Sequence, residues 1–147
     1  MTPDTDQPGT EENVVSGYYE DYKQTQAEIF SRESRRVRNS LFWIGSLLFI
    51  GDLIGLAITQ DMTGENLIYS LIFPLIFVGL GLLALKQPLL ADILGIVVFI
   101  GIIILSIVAY GGLGAISGLL VKGLIIYLLL AGFQSAKTAE QAKKEMK

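Results

Sequence analysis

Four long apolar runs, separated by short connectors, fill most of the sequence after its first forty residues. A hydrocarbon core about 30 Å thick needs roughly 20 residues of helix to cross it, and each run is close to that length. Because a bilayer offers the backbone no hydrogen-bond partners, apolar runs of this length form helices rather than strands. The sequence therefore predicts an all-α integral membrane bundle of four transmembrane helices, joined as antiparallel neighbours. The runs are residues 41–58, 67–85, 89–110 and 113–133.

The residues on either side of the four runs predict three further segments. Residues 1–13 are acidic and have almost nothing apolar to bury, so we expect a disordered tail. Residues 14–40 repeat apolar side chains at helical spacing and predict a cytoplasmic amphipathic helix. Residues 134–147 are mostly good helix formers and predict a cytoplasmic helical tail that continues the fourth run. The apolar positions of the amphipathic segment are Val15, Tyr18, Tyr22, Ile29, Phe30 and Val37.

The amino-acid composition excludes most catalytic chemistry. The chain contains no cysteine and no histidine, which rules out disulfides, thiolate nucleophiles and imidazole ligands for zinc or haem. The sequence also has no spacing typical of a phosphate-binding or metal-binding motif. We therefore expect no enzyme activity, no catalytic residues, no metal site and no cofactor.

The basic residues are distributed unevenly around the four runs. Of the eleven lysines and arginines, five precede the first run, Lys86 lies between the second and third runs, and four follow the fourth run. The two remaining connectors carry none. The positive-inside rule assigns the basic side to the cytoplasm, so we expect both termini of this multi-pass protein to be cytoplasmic.

Basic and aromatic side chains cluster at the cytoplasmic boundary of the first two runs. Anionic lipid headgroups lie next to such a cluster, and this favours anchoring to the membrane surface over binding of nucleic acid. We therefore expect the lipid bilayer as a partner and no nucleic-acid partner. The predicted anchors are Arg32, Arg35, Arg36, Arg38, Trp43 and Lys86.

One lysine, Lys122, lies inside the fourth run. Counted from Leu113, it is nine residues in, roughly 13 Å deep, and Asp52 in the first run lies about 9 Å below the same face. A lone charge near the centre of a membrane helix costs about 2.5 to 3.5 kcal/mol on insertion scales. The sequence therefore predicts an ion pair between Asp52 and Lys122 that holds helices one and four together. A proton or ion relay, a lysine that snorkels alone and a lysine that pairs with another chain are the alternatives.

Small residues accompany both members of this predicted pair. Glycines at helical spacing allow backbones to approach closely enough for the two charges to meet. Thr59 shares the stripe of Asp52 on the first helix. The predicted helix-packing residues are Gly45, Gly55, Gly114 and Gly118.

Two further residues within the runs have structural interpretations. Asp92 follows Pro88 by four residues, and an acid near a helix start is favoured by the helix dipole and lies within reach of the headgroups. Pro74 predicts a kink in the second helix. Neither residue by itself indicates a functional site.

The second half of the chain resembles a family of small, uncharacterised bacterial multi-pass membrane proteins. The resemblance rests on "LKQPLLADILGIVVFIG" and "VKGLIIYLLLAGFQSAKTAEQAKKEMK": a Lys-x-Pro turn, an apolar helix, a Lys-Gly-aliphatic helix and a charged, alanine-rich tail. In that family a basic residue often follows the last aliphatic stretch, where this chain has Ala131 and Gly132. The resemblance implies a bacterial inner-membrane location and no particular activity.

These observations predict a small scaffold or accessory subunit of the membrane. The cytoplasmic amphipathic segment and the helical tail are the expected contacts for another membrane protein or for further copies of the chain. The alternative function is an oligomeric ion, proton or small-solute transport unit that uses Asp52 and Lys122. A single four-helix chain offers little room for an aqueous path.

Overall fold

The computed structural model describes residues 9–60, 62–112 and 118–147. Four helices follow one another along the chain: α1 (Gly9–Thr59), α2 (Gly64–Ala84), α3 (Pro88–Tyr110) and α4 (Leu119–Glu145). No strand occurs in these ranges. By length and composition, each of the four helices can cross a membrane. The predicted all-α fold with four long apolar helices is therefore confirmed.

The first helix is much longer than a membrane crossing requires. It has 51 residues and joins the predicted amphipathic segment to the first apolar run without a break. No proline lies between Gly9 and Thr59 to interrupt the backbone hydrogen bonds. The helix begins at Gly9, inside the tail predicted to be disordered, and residues 1–8 lie outside the described part of the chain.

The helices are arranged so that α1 packs mainly against α2 on one side and α4 on the other. The third helix completes the bundle by packing against α2 and α4, and it contacts α1 less extensively. Three residues, Leu85, Lys86 and Gln87, join α2 to α3. Pro88 occupies the first turn of α3, as its missing N–H allows.

The bundle core is mainly apolar, and glycines bring two helices together beside it. A β-carbon placed on Gly45 would lie 3.2 Å from the carbonyl oxygen of Pro74 and 3.3 Å from Cβ of Phe77. A β-carbon on Gly81 would collide with the ring of Phe42. These two contacts fix the approach of α1 to α2. The largest buried core residues are Val37, Leu41, Ile44, Phe77, Phe99, Ile125 and Leu129.

The fourth helix begins later than the apolar run predicts. The described helix starts at Leu119, preceded by Gly118 in the left-handed conformation at φ +69°. A left-handed residue cannot continue an α-helix, and glycine adopts that conformation at low cost. Lys122 therefore lies in the first turn of α4, where its N–H bonds to the carbonyl of Gly118 at 2.9 Å. At its other end α4 continues through the predicted tail to Glu145 without interruption.

Candidate functional site

An open groove lies between α1, α2 and α3 at the end of the bundle where α1 ends and α2 begins, with a volume of about 760 Å³. The groove is lined from α1 by Asp52, Gly55 and Thr59. These three residues of the predicted stripe therefore lie on the same face of the helix. Ser70 lines it from α2 and Ser106 from α3. We name this cavity the groove. Its remaining described lining residues are Leu48, Gly51, Leu56, Asn66, Tyr69, Phe73, Ile102, Leu105 and Ala109.

Three hydroxyl groups of the groove already donate their protons within their own helices. Thr59 Oγ1 donates to the carbonyl of Gly55 at 3.0 Å, Ser70 Oγ to that of Leu67 at 2.9 Å, and Ser106 Oγ to that of Ile102 at 2.8 Å. A hydroxyl has a single donor and two acceptor lone pairs. These three side chains therefore offer the groove only acceptors, as the carboxylate of Asp52 also does.

The predicted ion pair between Asp52 and Lys122 is not among the ion pairs of the described residues. Those pairs join Glu33 to Arg32 and to Arg36. The described wall around Asp52 is built from α1, α2 and α3, whereas Lys122 lies on α4. The pairing of Asp52 with Lys122 therefore stays a prediction from the sequence.

The four glycines predicted to pack helices have different environments. Gly45 is buried and allows the close approach described above, although its neighbour is α2 rather than the expected α4. Gly55 has nothing within 4 Å of an added β-carbon and leaves space in the groove. Gly118 likewise has open space around it and serves the backbone turn before α4. Gly114 lies outside the described residues.

A second carboxyl group, that of Asp92, is fully buried at the opposite end of the bundle. The residue is 0% exposed, and neither carboxylate oxygen has a hydrogen-bond partner in the described part of the chain. Its Oδ1 would lie 2.6 Å from a β-carbon on Gly132, and Ser40 of α1 adjoins the same point. Asp92 thus lies where α3, α4 and α1 meet, not toward the headgroups as predicted. A buried carboxylate without a partner destabilises a fold by several kcal/mol, so this group needs a proton or a cation.

The two carboxyl groups are separated by the apolar core. Gly95 stands one turn beyond Asp92, and a β-carbon there would lie 3.0 Å from Cδ2 of Leu41 and 3.5 Å from Cδ2 of Leu129. The buried Phe77 and Phe99 belong to the same core cluster. Close packing of apolar side chains disfavours water. Among the described residues, this apolar cluster therefore separates Asp52 from Asp92.

Below Asp92, α1 and α4 continue together as a two-helix extension, which we name the stalk (residues 13–40 and 134–145). Tyr22 Oη donates a 2.6 Å hydrogen bond to Oε2 of Glu145, so the two helices run antiparallel. That bond is the largest cause of a raised pKa for Tyr22, because the anionic carboxylate stabilises the protonated phenol. Three alanines at helical spacing, Ala136, Ala139 and Ala142, are buried along α4.

Beyond Tyr22, α1 extends past the end of α4 and exposes apolar and aromatic side chains. We name this exposed face of residues 14–22 the tip. Tyr18 is 76% exposed, and a shallow surface depression runs beside it. No described segment covers the tip. Its members are Val14, Val15, Tyr18, Tyr19 and Tyr22.

The predicted membrane anchors surround the junction of the stalk and the bundle. Arg32 and Arg36 lie 3.5 and 3.4 Å from Oε1 of the buried Glu33. Arg38 is held by the side chain of Asn39 and lies 5.9 Å from the ring centre of Phe42. The remaining three anchors, Arg35, Trp43 and Lys86, are exposed.

Sequence reasoning missed Asp92 as a candidate site residue. The signal available was a set of small residues, Ala91 and Gly95 on the third helix and Gly132 on the fourth, which permit close contact around a carboxylate. Comparison with family models, with curated proteins and with solved structures finds no match to this chain.

Proposed function

We propose that the protein is a multi-pass membrane protein that acts as a scaffold or accessory subunit, with the stalk as its contact surface. The observation that carries this proposal is the continuation of α1 and α4 beyond their apolar spans as a paired extension, joined by Tyr22 and Glu145. Building and pairing these extra turns serves no purpose in crossing a membrane. The distribution of lysine and arginine supports a cytoplasmic stalk, and the family resemblance supports a bacterial inner membrane.

The composition of the tip supports a protein partner. Tyrosine is enriched in protein interfaces, because it combines a large apolar surface with a hydroxyl that can form a hydrogen bond. Tyr18 and Tyr19 stand on an end of α1 that no described segment covers, and Tyr22, which bonds to Glu145, is partly exposed beside them. A partner that buries these rings would gain apolar contact without disturbing the bundle.

A site-specific photo-crosslinker tests this proposal. Benzoylphenylalanine in place of Tyr18 should give an adduct with one defined protein partner in native membranes. The matched control is Tyr127, an exposed tyrosine within the apolar span of α4, where we expect lipid adducts instead. Tyr18→Ser with Tyr19→Ser should abolish the protein adduct formed from Tyr22 and leave the melting temperature unchanged. Adducts with lipid alone at Tyr18 would contradict the proposal.

The second candidate function is an oligomeric transport unit, and the groove with its carboxylate favours it. The described core between Asp52 and Asp92 is apolar, which favours a path that runs between chains of such an assembly. Purified protein in liposomes should then pass a cation or small solute, and Asp52→Asn should abolish the flux while leaving the fold intact.

A further inference from the structure

We propose that the groove is a binding site for a small organic ammonium ion with an apolar body. The inference is independent of the stalk and of the scaffold function. It rests on the position of Asp52, the direction of the hydroxyl hydrogen bonds, and the apolar surface beside them.

Asp52, Ser70 and Ser106 lie within about two helical turns of one another along the bundle. Asp92 adjoins Ser40 at the stalk end, and both helices rise from there toward the groove. Asp52 is twelve residues beyond Ser40 and Ser106 is fourteen beyond Asp92, which is about 18 and 21 Å along the helix axes. Pro74 adjoins Gly45, five residues beyond Ser40, so Ser70, one turn from Pro74 on α2, lies about 14 Å along the same direction. A carboxylate and two hydroxyls from three helices therefore face one space.

The hydrogen bonds of these groups determine the charge of the ligand. Ser70 and Ser106 use their only donor on backbone carbonyls, so each presents lone pairs to the groove. Asp52 adds a carboxylate with no hydrogen bond or ion pair in the described part of the chain. Asn66 and Tyr69 also line the groove and carry donors, but an anion would be repelled by the carboxylate of Asp52. An ammonium group supplies up to three N–H donors to Asp52, Ser70 and Ser106, together with the compensating charge.

The rest of the groove determines the body of the ligand. Leu48 and Phe73 line it from α1 and α2, and an aromatic ring beside a site of this kind favours a cation. A carboxylate exposed to hydrocarbon is costly, and a ligand that carries its own positive charge and an apolar end removes that cost. The volume of about 760 Å³ accommodates a drug-sized molecule.

Three probes of the same shape test the proposal with the full chain in nanodiscs. The probes are phenethylammonium, 2-phenylethanol and phenylacetate, with binding measured by saturation-transfer NMR and corrected with empty nanodiscs. We expect phenethylammonium to bind, and Asp52→Asn to weaken its binding about tenfold or more. The matched control Glu140→Gln, on the stalk, should leave its affinity unchanged. Equal binding of all three probes, or binding that Asp52→Asn does not affect, would overturn the proposal.

A second variant keeps the test decisive if Asp52→Asn fails to fold. An added β-carbon at Gly55 meets nothing within 4 Å, and Gly55 lines the groove. We therefore expect Gly55→Leu to fold, fill the groove and prevent phenethylammonium from binding. Unchanged binding by Gly55→Leu would overturn the proposal. So would a co-purified phospholipid that no probe displaces, or a spontaneous disulfide dimer of Gly55→Cys, because lipid or a second copy would then occupy the groove.

Discussion

Asp92 Oδ1 lies 2.6 Å from the point where a β-carbon on Gly132 would stand. Real β-carbons almost never approach an oxygen this closely, so the carboxyl group occupies the space that the missing side chain leaves. Asp92 is fully buried and short, and its carboxylate has little freedom to move aside. The contact between α3 and α4 therefore depends on both residues together.

Gly132→Ala should destabilise the bundle, although alanine is the better helix former. Overpacking of a buried site costs about 1 to 3 kcal/mol, which exceeds the roughly 1 kcal/mol gained by replacing glycine in a helix. The measurement is thermal unfolding of the purified protein in detergent. Gly123→Ala is the matched control, because an added β-carbon there meets nothing within 4 Å, and it should be neutral or stabilising.

Shortening Asp92 should rescue the variant with alanine at position 132. In Asp92→Ala with Gly132→Ala, the added methyl group enters the space that the carboxylate vacates. The double variant should therefore be more stable than the sum of the two single effects predicts, with a coupling on the order of 1 to 3 kcal/mol. Additive effects would show that the two side chains do not compete for one space.

The hydrogen bond between Tyr22 and Glu145 should be lost at alkaline pH. The pKa of Tyr22 is raised above its ordinary value of 10.0, first by this bond and then by burial and by the charge of Glu145. Because the folded-state pKa exceeds the unfolded one, the stabilising contact is fully present below pH 10.0 and is lost as the pH rises through the raised pKa. NMR of tyrosine labelled at Cζ should follow this titration, with Tyr22→Phe identifying the signal.

The raised pKa of Tyr22 should depend on Glu145 and on no other acid of the stalk. Glu145→Gln removes the charge and should return the pKa of Tyr22 toward its ordinary value, whereas Glu140→Gln, five residues earlier on the same helix, should leave it unchanged. A pKa of Tyr22 that is the same in both variants would mean that the stalk helices do not meet at this point.

Substitutions of Asp52 and Lys122 should have additive effects on stability. The sequence suggests an ion pair, for which Asp52→Asn and Lys122→Met would be coupled. In the structure Asp52 lines a groove whose described walls come from α1, α2 and α3, so we expect a coupling below about 0.5 kcal/mol. A double-mutant cycle on melting temperatures measures it. A coupling of about 1 to 3 kcal/mol would restore the ion pair.

Cysteine labelling tests the orientation that places the stalk in the cytoplasm. The chain has no cysteine of its own, so single cysteines report without background. Cysteines at the exposed positions Thr63 and Gly112 should react with an impermeant reagent added outside cells, and those at Gln87 and Gln141 should not. The reverse pattern would place the stalk and the tip outside.

Hydropathy was sufficient to predict the helical architecture, because length and apolar content alone decide whether a segment can cross a bilayer. It could not locate the start of α4. The apolar run begins at Leu113, but the described helix begins after the left-handed Gly118, and a hydropathy pattern does not detect a single backbone rotation. The predicted depth of Lys122 depended on that start.

The burial of the Asp92 side chain also could not be predicted from the sequence. An acid four residues after a proline has the same linear signature whether it points to headgroups or into a bundle. The difference is the rotation of α3 relative to α4, and that rotation is decided by which small residue stands opposite, here Gly132. Gly45 shows the same limit, since its small size predicts close packing but not which helix it packs against.

The unbroken length of α1 makes it a lever. Tyr22 at the tip and Asp52 in the groove are thirty residues apart on one helix, a distance of about 45 Å. A rotation of roughly 5° about the crossing with α2 near Gly45 would displace the far end of such a rod by several ångströms, while the groove would change shape by much less. A displacement of the tip would therefore produce a smaller displacement at the groove, and a weak force on the tip would act on the groove as a larger force.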